Sequence, residues 1–255
     1  MMHYTISGEG KTVVLIHGFG EDSRIWNRQV EWMQKSFKVI VPDLPGTGRT
    51  PVSVELTMES MAAGIKQILD KEGIKKCTLL GHSMGGYISL AFAELFPALL
   101  EGLGLLHSSA FADNETKKEA RRKSIDFISK HGAGPFLEAS TPNLFTEKNR
   151  ISMNEQIREL TERHLYMGPA ALIAFYNAMI ARPDRTEILK TAPFPVLFLI
   201  GREDQAILFS DSMQQVYLPE LSYIYILDKS GHMGMLEEPL LFNKALFDFL
   251  SDLPA

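Results

Sequence analysis

The feature that most constrains the fold of this chain is the alternation of short apolar runs with longer segments of helical periodicity. The apolar runs predict strands at His3–Ser7, Thr12–Ile16, Phe37–Val41, Cys77–Leu80, Gly102–Leu106, Val196–Ile200 and Ser222–Leu227. Most of them are apolar at every position, which is typical of strands covered by helices on both faces. Strands that alternate with helices predict an α/β fold with a mostly parallel central sheet flanked by helices.

Three segments outside the strands have apolar residues three and four positions apart, the spacing of one helix face. The three sets are Met58, Met61, Ala62, Ile65, Ile68 and Leu69; Ile88, Ala91, Phe92 and Leu95; and Phe242, Ala245, Leu246, Phe249 and Leu250. We expect these stripes to pack on the sheet, because an apolar stripe on a helix must be buried against another element.

The strand pattern is interrupted over residues 108–192, where the chain has only helical and loop patterns. We therefore predict a core of residues 1–107 and 193–255 with a helical insertion of residues 108–192. Within this insertion Ala170–Ile180 is apolar almost all round. Such a helix is expected to be buried on several sides or to face an apolar cavity.

The charge of the chain argues against nucleic acid and membrane surfaces as partners. There are 26 Lys and Arg residues against 31 Asp and Glu, a net charge of −5, so no general positive field exists. The basic cluster comprises Lys117, Lys118, Arg121, Arg122 and Lys123. Because Glu115 and Glu119 interrupt it, we interpret it as a solvated helix face, with docking of an acidic partner as the alternative.

Composition also bears on the compartment. The single cysteine, Cys77, cannot form an internal disulfide, and the N-terminal residues lack the charged and then apolar pattern of a secretory signal. No apolar stretch approaches the roughly 20 residues that a membrane-spanning helix needs. A cytoplasmic location is therefore expected.

The segment that carries most chemical information is Gly81-His82-Ser83-Met84-Gly85, which lies between a predicted strand and an apolar-striped helix. A Gly-x-Ser-x-Gly sequence in that context indicates a sharp turn that projects the Ser83 hydroxyl from the sheet. Glycines are needed on either side because larger side chains would collide there. The N–H of Met84, at the start of the helix, is free to point at an oxyanion. A serine helix cap is the alternative interpretation.

A serine hydroxyl is a poor nucleophile unless a base and an orienting acid lie nearby. Of the seven histidines, His232 lies in a loop after the last predicted strand, where open α/β sheets gather their sites. Asp204 follows the strand before it, with Glu203 as the nearest competitor. The chain order Ser83, Asp204, His232 matches the order that accompanies such a turn. In the turn after the second strand, the N–H of Phe19 is predicted to be a second oxyanion donor.

These segments, together with the run from Asp43 to Thr50, resemble the α/β-hydrolase family in its serine-nucleophile, carboxylesterase-like branch. The resemblance extends from about Thr12 to the C-terminus, and the insertion looks like the variable helical cap of that family. It implies Ser83 as nucleophile, Asp204 as acid, His232 as base, and the backbone N–H groups of Phe19 and Met84 as the oxyanion hole.

The sequence departs from the family pattern in two places. Thr50 stands where many members carry Ser, which keeps a hydroxyl at this position. The N-terminal segment is short, so the first two strands of the family are expected to form one hairpin or to be lost in part.

The predicted activity is hydrolysis of carboxylic esters of small to medium, largely apolar substrates by an acyl-enzyme route. Seven residues of the insertion are candidates for an apolar pocket, although most of them fit the core of the insertion equally well: Phe111, Phe127, Phe136, Phe145, Phe175, Tyr176 and Met179. Two alternatives remain open. One is cleavage of a C–C or thioester bond, or elimination, by the same triad. The other is a sensor without turnover that binds a small apolar ligand under the insertion and signals through the surface of the insertion, with the basic cluster as its sequence support.

No cofactor and no metal are predicted. Gly10-Lys11-Thr12 resembles the end of a phosphate-binding loop, but Thr5 stands where that loop requires glycine. The histidines and the cysteine do not have metal-ligand spacings. A serine rather than an aspartate at position 83 also argues against dehalogenase or epoxide hydrolase chemistry.

Overall fold

The computed structural model describes residues 1–53 and 55–253. The strands in this part of the chain are β1 (Tyr4–Ser7), β2 (Thr12–Ile16), β3 (Lys38–Pro42), β4 (Cys77–His82), β5 (Leu100–Leu106), β6 (Val196–Gly201) and β7 (Ser222–Leu227). The α-helices are α1 (Asn27–Met33), α2 (Met58–Lys71), α3 (Met84–Leu95), α4 (Glu115–His131), α5 (Ala133–Ser140), α6 (Glu147–Ser152), α7 (Asn154–His164), α8 (Pro169–Ala181), α9 (Thr186–Thr191), α10 (Phe209–Met213), α11 (Gly234–Glu237) and α12 (Pro239–Asp252). Short 3-10 helices span Ser23–Trp26, Pro97–Leu99 and Thr141–Leu144.

The strands form one sheet in the order β1-β3-β2-β4-β5-β6-β7. Strands β2 to β7 are parallel, and β1 pairs antiparallel with β3 at the edge. This confirms the predicted mostly parallel α/β sheet. Because β1 pairs with β3 and not with β2, the two N-terminal strands do not form the expected hairpin.

Both faces of the sheet are covered, which explains why the strands are apolar throughout. In β2, Val13 and Leu15 point into one apolar layer, whereas Val14 and Ile16 point into the other. The whole of β2 is buried. Alternate side chains of a strand project to opposite faces, so only a strand covered on both sides buries every residue.

The predicted helix stripes supply the residues that cover the sheet. All six stripe residues of α2 and all five of α12 are buried, on opposite faces of the sheet. In α3 the stripe is buried except for Leu95, which is 45% exposed because it is the last residue of the helix. Within the described residues, no helix combines the length and the apolar character needed to cross a bilayer.

Helices α4 to α9 lie between β5 and β6, inside the range predicted as an insertion. Helix α8 is buried on two sides, as its composition predicts. Leu172 packs in a small cluster with Ile128 and Leu137, whereas Phe175 and Met179 join the main apolar layer over α3. The helical segment is thereby packed against the sheet domain through continuous apolar contacts.

Candidate active site

The turn between β4 and α3 holds Ser83 in a strained conformation. Ser83 has φ 51° and ψ −117°, in the left-handed half of backbone space that side chains rarely adopt. Glycine is required around it, since a Cβ on Gly81 would lie 2.3 Å from the Gly85 carbonyl oxygen. A Cβ on Gly85 would lie 2.3 Å from the carbonyl oxygen of Ile16. The turn therefore has the geometry that the Gly-x-Ser-x-Gly sequence predicts.

Asp204 and His232 lie on neighbouring loops, after β6 and β7, and are hydrogen-bonded. The His232 ring donates from Nδ1 to Asp204 Oδ2 at 2.8 Å, which leaves Nε2 as the basic nitrogen. Asp204 Oδ1 accepts the backbone N–H groups of Ala206 and Ile207 at 2.8 and 2.9 Å. Burial raises the pKa of the Asp204 carboxyl, but the nearby histidines and hydrogen bonds outweigh it and hold that pKa well below its usual range.

The backbone of His232 is held on both sides. Its N–H donates to the carbonyl of Leu144, in the 3-10 helix after α5, at 2.7 Å. Its carbonyl accepts from Nε2 of His82 at 2.9 Å. Since the ring is also bonded to Asp204, both the loop and the imidazole of His232 have one defined orientation.

His82 also contacts Glu21, and together they form a buried ion pair. His82 Nδ1 donates to Glu21 Oε2 at 3.1 Å, and the same oxygen accepts the Gly18 N–H at 2.7 Å. Because both ring nitrogens of His82 face acceptors, the ring is an imidazolium; burial lowers its pKa, but Glu21 and the His232 carbonyl outweigh that and raise it. Burial raises the pKa of Glu21, but His82 and Gly18 overcome it and lower that pKa to about 2.

A cavity of about 170 Å³ lies between the sheet and the helical segment, and both Ser83 and His232 line it. From the insertion, Phe136, Tyr176 and Met179 line it as well. The other four aromatic residues predicted for the pocket lie elsewhere, since Phe145 and Phe175 are buried in the core and Phe111 and Phe127 do not line the cavity.

Phe19 also lines the cavity, in the turn after β2, and its ring stacks on Tyr176 at a centroid distance of 4.3 Å. Gly20, which follows it, has a φ of 69°, so the turn requires glycine there. Neither the Phe19 N–H nor the Met84 N–H donates to a protein acceptor in the described parts of the chain. Both amides are therefore available to a bound molecule.

Comparisons with known proteins agree with this architecture. Residues 11–125 match the family model described as alpha/beta hydrolase fold. A solved structure of a thermophilic esterase from Thermogutta terrifontis, with malate bound, is 30% identical, covers 98% of this chain and 93% of its own, and superimposes with a TM-score of 0.93. The chain belongs to the α/β-hydrolase fold family.

Two curated relatives of this α/β-hydrolase have different named activities. A 2-hydroxy-6-oxononadienedioate/2-hydroxy-6-oxononatrienedioate hydrolase from Paraburkholderia phymatum is 28% identical over 98% of this chain and 90% of its own length. A protein from Stutzerimonas stutzeri, named provisionally as the carbamate hydrolase RutD, is 25% identical over 98% of this chain and 97% of its own. Both relatives are thus named as hydrolases, with different substrates.

His107, which the sequence pattern did not distinguish among the seven histidines, lies beside Asp204 at the site of this α/β-hydrolase. It directly follows β5 and, with Ser83, is one of two non-glycine residues with positive φ (49°) in the described chain. Its Nδ1 lies 3.4 Å from Asp204 Oδ2, but neither ring nitrogen makes a well-formed hydrogen bond. Burial lowers the pKa of His107 to about 4 against the opposing effect of Asp204. Its position at a strand end was the signal that could have identified it.

Three side chains at the site could each offer one ligand atom to a metal ion, and these atoms lie within 4.8 Å of one another: His107, Asp204 and His232. The hydrogen bond between His232 and Asp204 already occupies one donor atom of each residue, and backbone N–H groups occupy the other Asp204 oxygen. This arrangement fits a carboxylate that orients the imidazole of His232.

The loop after β3 fits the family resemblance. The Thr50 hydroxyl donates to the Asp43 carbonyl at 2.8 Å and accepts the His3 N–H at 2.8 Å. Threonine thus supplies the hydroxyl that these two hydrogen bonds need. His17 accepts the Leu44 N–H at Nε2, which ties this loop to the turn that contains Phe19.

The interpretation of the basic cluster as a solvated helix face was wrong for Arg121. Lys117, Lys118, Arg122 and Lys123 form ion pairs with surface carboxylates. Arg121 instead lines the cavity and has a side chain only 19% exposed. The reason is helical spacing: Arg121 lies seven residues before the fully buried Ile128, on the same face of α4.

The close contacts of Gly85 predict that Gly85→Ala lowers the free energy of unfolding by more than about 2 kcal/mol, because the new methyl meets rigid backbone. Gly134→Ala in α5 is the control, since its Cβ would meet only Leu165 at 3.8 Å. Gly134→Ala should raise the free energy of unfolding by no more than about 1 kcal/mol, because alanine favours a helix more than glycine does. Urea denaturation measures both, and equal effects would contradict the steric argument.

Burial of neutral His107 predicts a loss of stability in acid. Since its pKa is about 4 in the folded protein against 6.5 as the unperturbed value, the unfolded chain binds more protons between these pH values. Its contribution is complete above pH 6.5 and is lost progressively as the pH falls to 4. His107→Asn, which cannot titrate there, should flatten the dependence of unfolding free energy on pH in this window. Ser129→Ala, on the exposed face of α4, removes no titratable group; it is the control and should leave the slope unchanged.

Proposed function

We propose that this α/β-hydrolase cleaves carboxylic esters of small to medium, largely apolar substrates through a covalent acyl-enzyme. The observation that carries the proposal is that Ser83, on its strained turn, shares one cavity with His232, whose ring is hydrogen-bonded to Asp204. A hydroxyl, an imidazole with its basic nitrogen free and a buried carboxylate are the groups that acyl transfer requires.

In the first half of the reaction, Ser83 Oγ attacks the ester carbonyl while His232 Nε2 takes its proton. The tetrahedral intermediate then collapses, and the same proton passes to the leaving alcohol. In the second half, His232 takes a proton from water, and the resulting hydroxide attacks the acyl-serine. The acid is released, and Ser83 recovers its proton from His232.

Asp204 remains ionised throughout and acts on His232 alone. Its hydrogen bond keeps the proton on Nδ1, so that Nε2 is the nitrogen that faces the reaction. The depressed pKa of the Asp204 carboxyl supports this role, because the charged form persists while the imidazolium forms.

The N–H groups of Phe19 and Met84 are the proposed donors to the oxyanion. The absence of other acceptors for them in the described residues supports the assignment. A preorganised donor of this kind contributes about 100-fold or more to the rate. The N–H of Gly18 is engaged by Glu21, so that the turn containing Phe19 is fixed before substrate arrives.

A second candidate function is cleavage of a carbon–carbon bond by the same residues. The supporting observation is the 28% identity to the Paraburkholderia dienedioate hydrolase over nearly the whole chain. No comparable observation favours a ligand sensor, since four of the five residues of the basic cluster are paired with carboxylates on or beside α4.

The proposed nucleophile predicts that Ser83→Ala lowers kcat on p-nitrophenyl acetate and butyrate by at least about 1,000-fold, because the acyl-enzyme cannot form. A fluorophosphonate should label the native protein at Ser83 and leave the variant unlabelled, as mass spectrometry of peptides would show. Ser129→Ala, on the exposed face of α4, is the control. Unchanged ester rates in Ser83→Ala would refute the mechanism, and turnover of a vinylogous diketone without ester turnover would favour the second candidate.

A further inference from the structure

The cavity contains one charge that ester hydrolysis does not use. Among the described residues that line it, Glu21 and Arg121 are the permanently charged side chains. Glu21 is occupied by His82 and the Gly18 N–H, both within 3.1 Å. Arg121 has no such role in the proposed reaction, although it lies in a largely apolar space where a charge is costly unless it is paired.

Arg121 is only partly neutralised by its neighbours. Its Nε and Nη2 lie 2.6 and 3.4 Å from the two oxygens of the buried Asp113 carboxylate. Arg182 Nη2 bonds to the same carboxylate at 3.0 Å. Two guanidinium groups therefore share a single carboxylate, and the cluster carries a net positive charge of one.

The unused donor of Arg121 is Nη1. No acceptor within residues 1–53 and 55–253 takes a hydrogen bond from this nitrogen. The guanidinium lies 5.6 Å from the ring of Tyr176, and Arg182 lies over the ring of Tyr87 at 3.8 Å. Both tyrosines line the cavity, so Arg121 belongs to the wall that these rings form.

We propose that Arg121 binds a free carboxylate of the substrate, so that the preferred substrates are esters that carry a second, ionised carboxyl group. This inference rests on the proposed function and narrows its substrate class. A partly neutralised guanidinium that is only 19% exposed binds a carboxylate more strongly than a fully exposed one, because the local dielectric is lower and the hydrogen bond is charge-assisted. The apolar rings beside it accommodate the chain that links the two carboxyl groups.

Matched substrates test this inference. Wild-type kcat/KM is measured on p-nitrophenyl half-esters of succinate, glutarate and adipate and on the neutral butyryl, valeryl and hexanoyl esters. Butyrate esters of glycolate and of ethanol place the same charge difference on the alcohol side. We expect the anionic member of at least one pair to be preferred by about 10-fold or more.

Three variants test whether Arg121 causes the preference for anionic esters. Arg121→Gln should reduce the ratio of anionic to neutral kcat/KM by about 10- to 100-fold, through KM, and should leave the neutral ester within about 3-fold. Asp113 stays paired with Arg182 in this variant, so the fold is retained. Arg121→Lys should keep part of the preference. Arg122→Gln, which removes the same charge from the exposed side of α4, should change nothing.

Loss of activity on both ester types in Arg121→Gln would show a structural role and overturn the proposal, as would an unchanged ratio. Calorimetric titration of Ser83→Ala with glutarate tests the site without turnover. If glutarate binds to Ser83→Ala but not to the double variant that also carries Arg121→Gln, the proposal is supported. If glutarate binds equally to the two variants, or to neither, the proposal is refuted. If no ester of either type is cleaved, the proposed function fails, while this titration still decides the role of Arg121.

Discussion

The buried ion pair between Glu21 and His82 is the interaction on which the geometry of the site depends. Glu21 bonds to the turn that carries Phe19, and His82 bonds to the backbone of His232. His82 is also the residue directly before Ser83. One pair of charges therefore connects the three loops that meet at the cavity. Separating the loops would leave each charge buried without a partner. Because an unpaired buried charge is strongly destabilising, the ion pair keeps the loops together.

The sheet supplies the rigidity that makes this connection useful. Ser83 and His107 directly follow the parallel neighbours β4 and β5, and both have positive φ. Strained backbone persists only where the surrounding packing over-determines it. Here the packing is backbone against backbone, as the contacts around Gly81 and Gly85 show. The position of the hydroxyl is thus determined by rigid contacts between backbone segments.

The helical segment does more than cover the cavity. The carbonyl of Leu144 holds the N–H of His232, and Tyr176 stacks on Phe19. Both contacts join the segment to loops of the sheet. The same segment brings Arg121 to the cavity wall, where its charge is shared with Arg182 over one carboxylate. The sheet therefore provides the reacting groups, and the helices provide the surroundings in which a substrate would be recognised.

The local pattern of the sequence determined the strands, the turn at Ser83 and the edge of the sheet to which the site belongs. Apolar runs, glycine spacing and chain order are short-range signals, and steric and hydrophobic rules act on them directly. Whether Phe19 and Met84 act as oxyanion donors, and whether Ser83, Asp204 and His232 act together, remain predictions from the same reasoning.

Only the tertiary structure decided the partners of the remaining polar residues. His107 could not be distinguished from other histidines, because its contact with Asp204 joins residues 97 positions apart in the chain. Arg121 was grouped with its charged neighbours, because which face of α4 turns inward depends on what packs against it. Ion pairs between residues far apart in the chain depend on how the helices and strands pack. A linear sequence pattern does not show how close in space such residues lie.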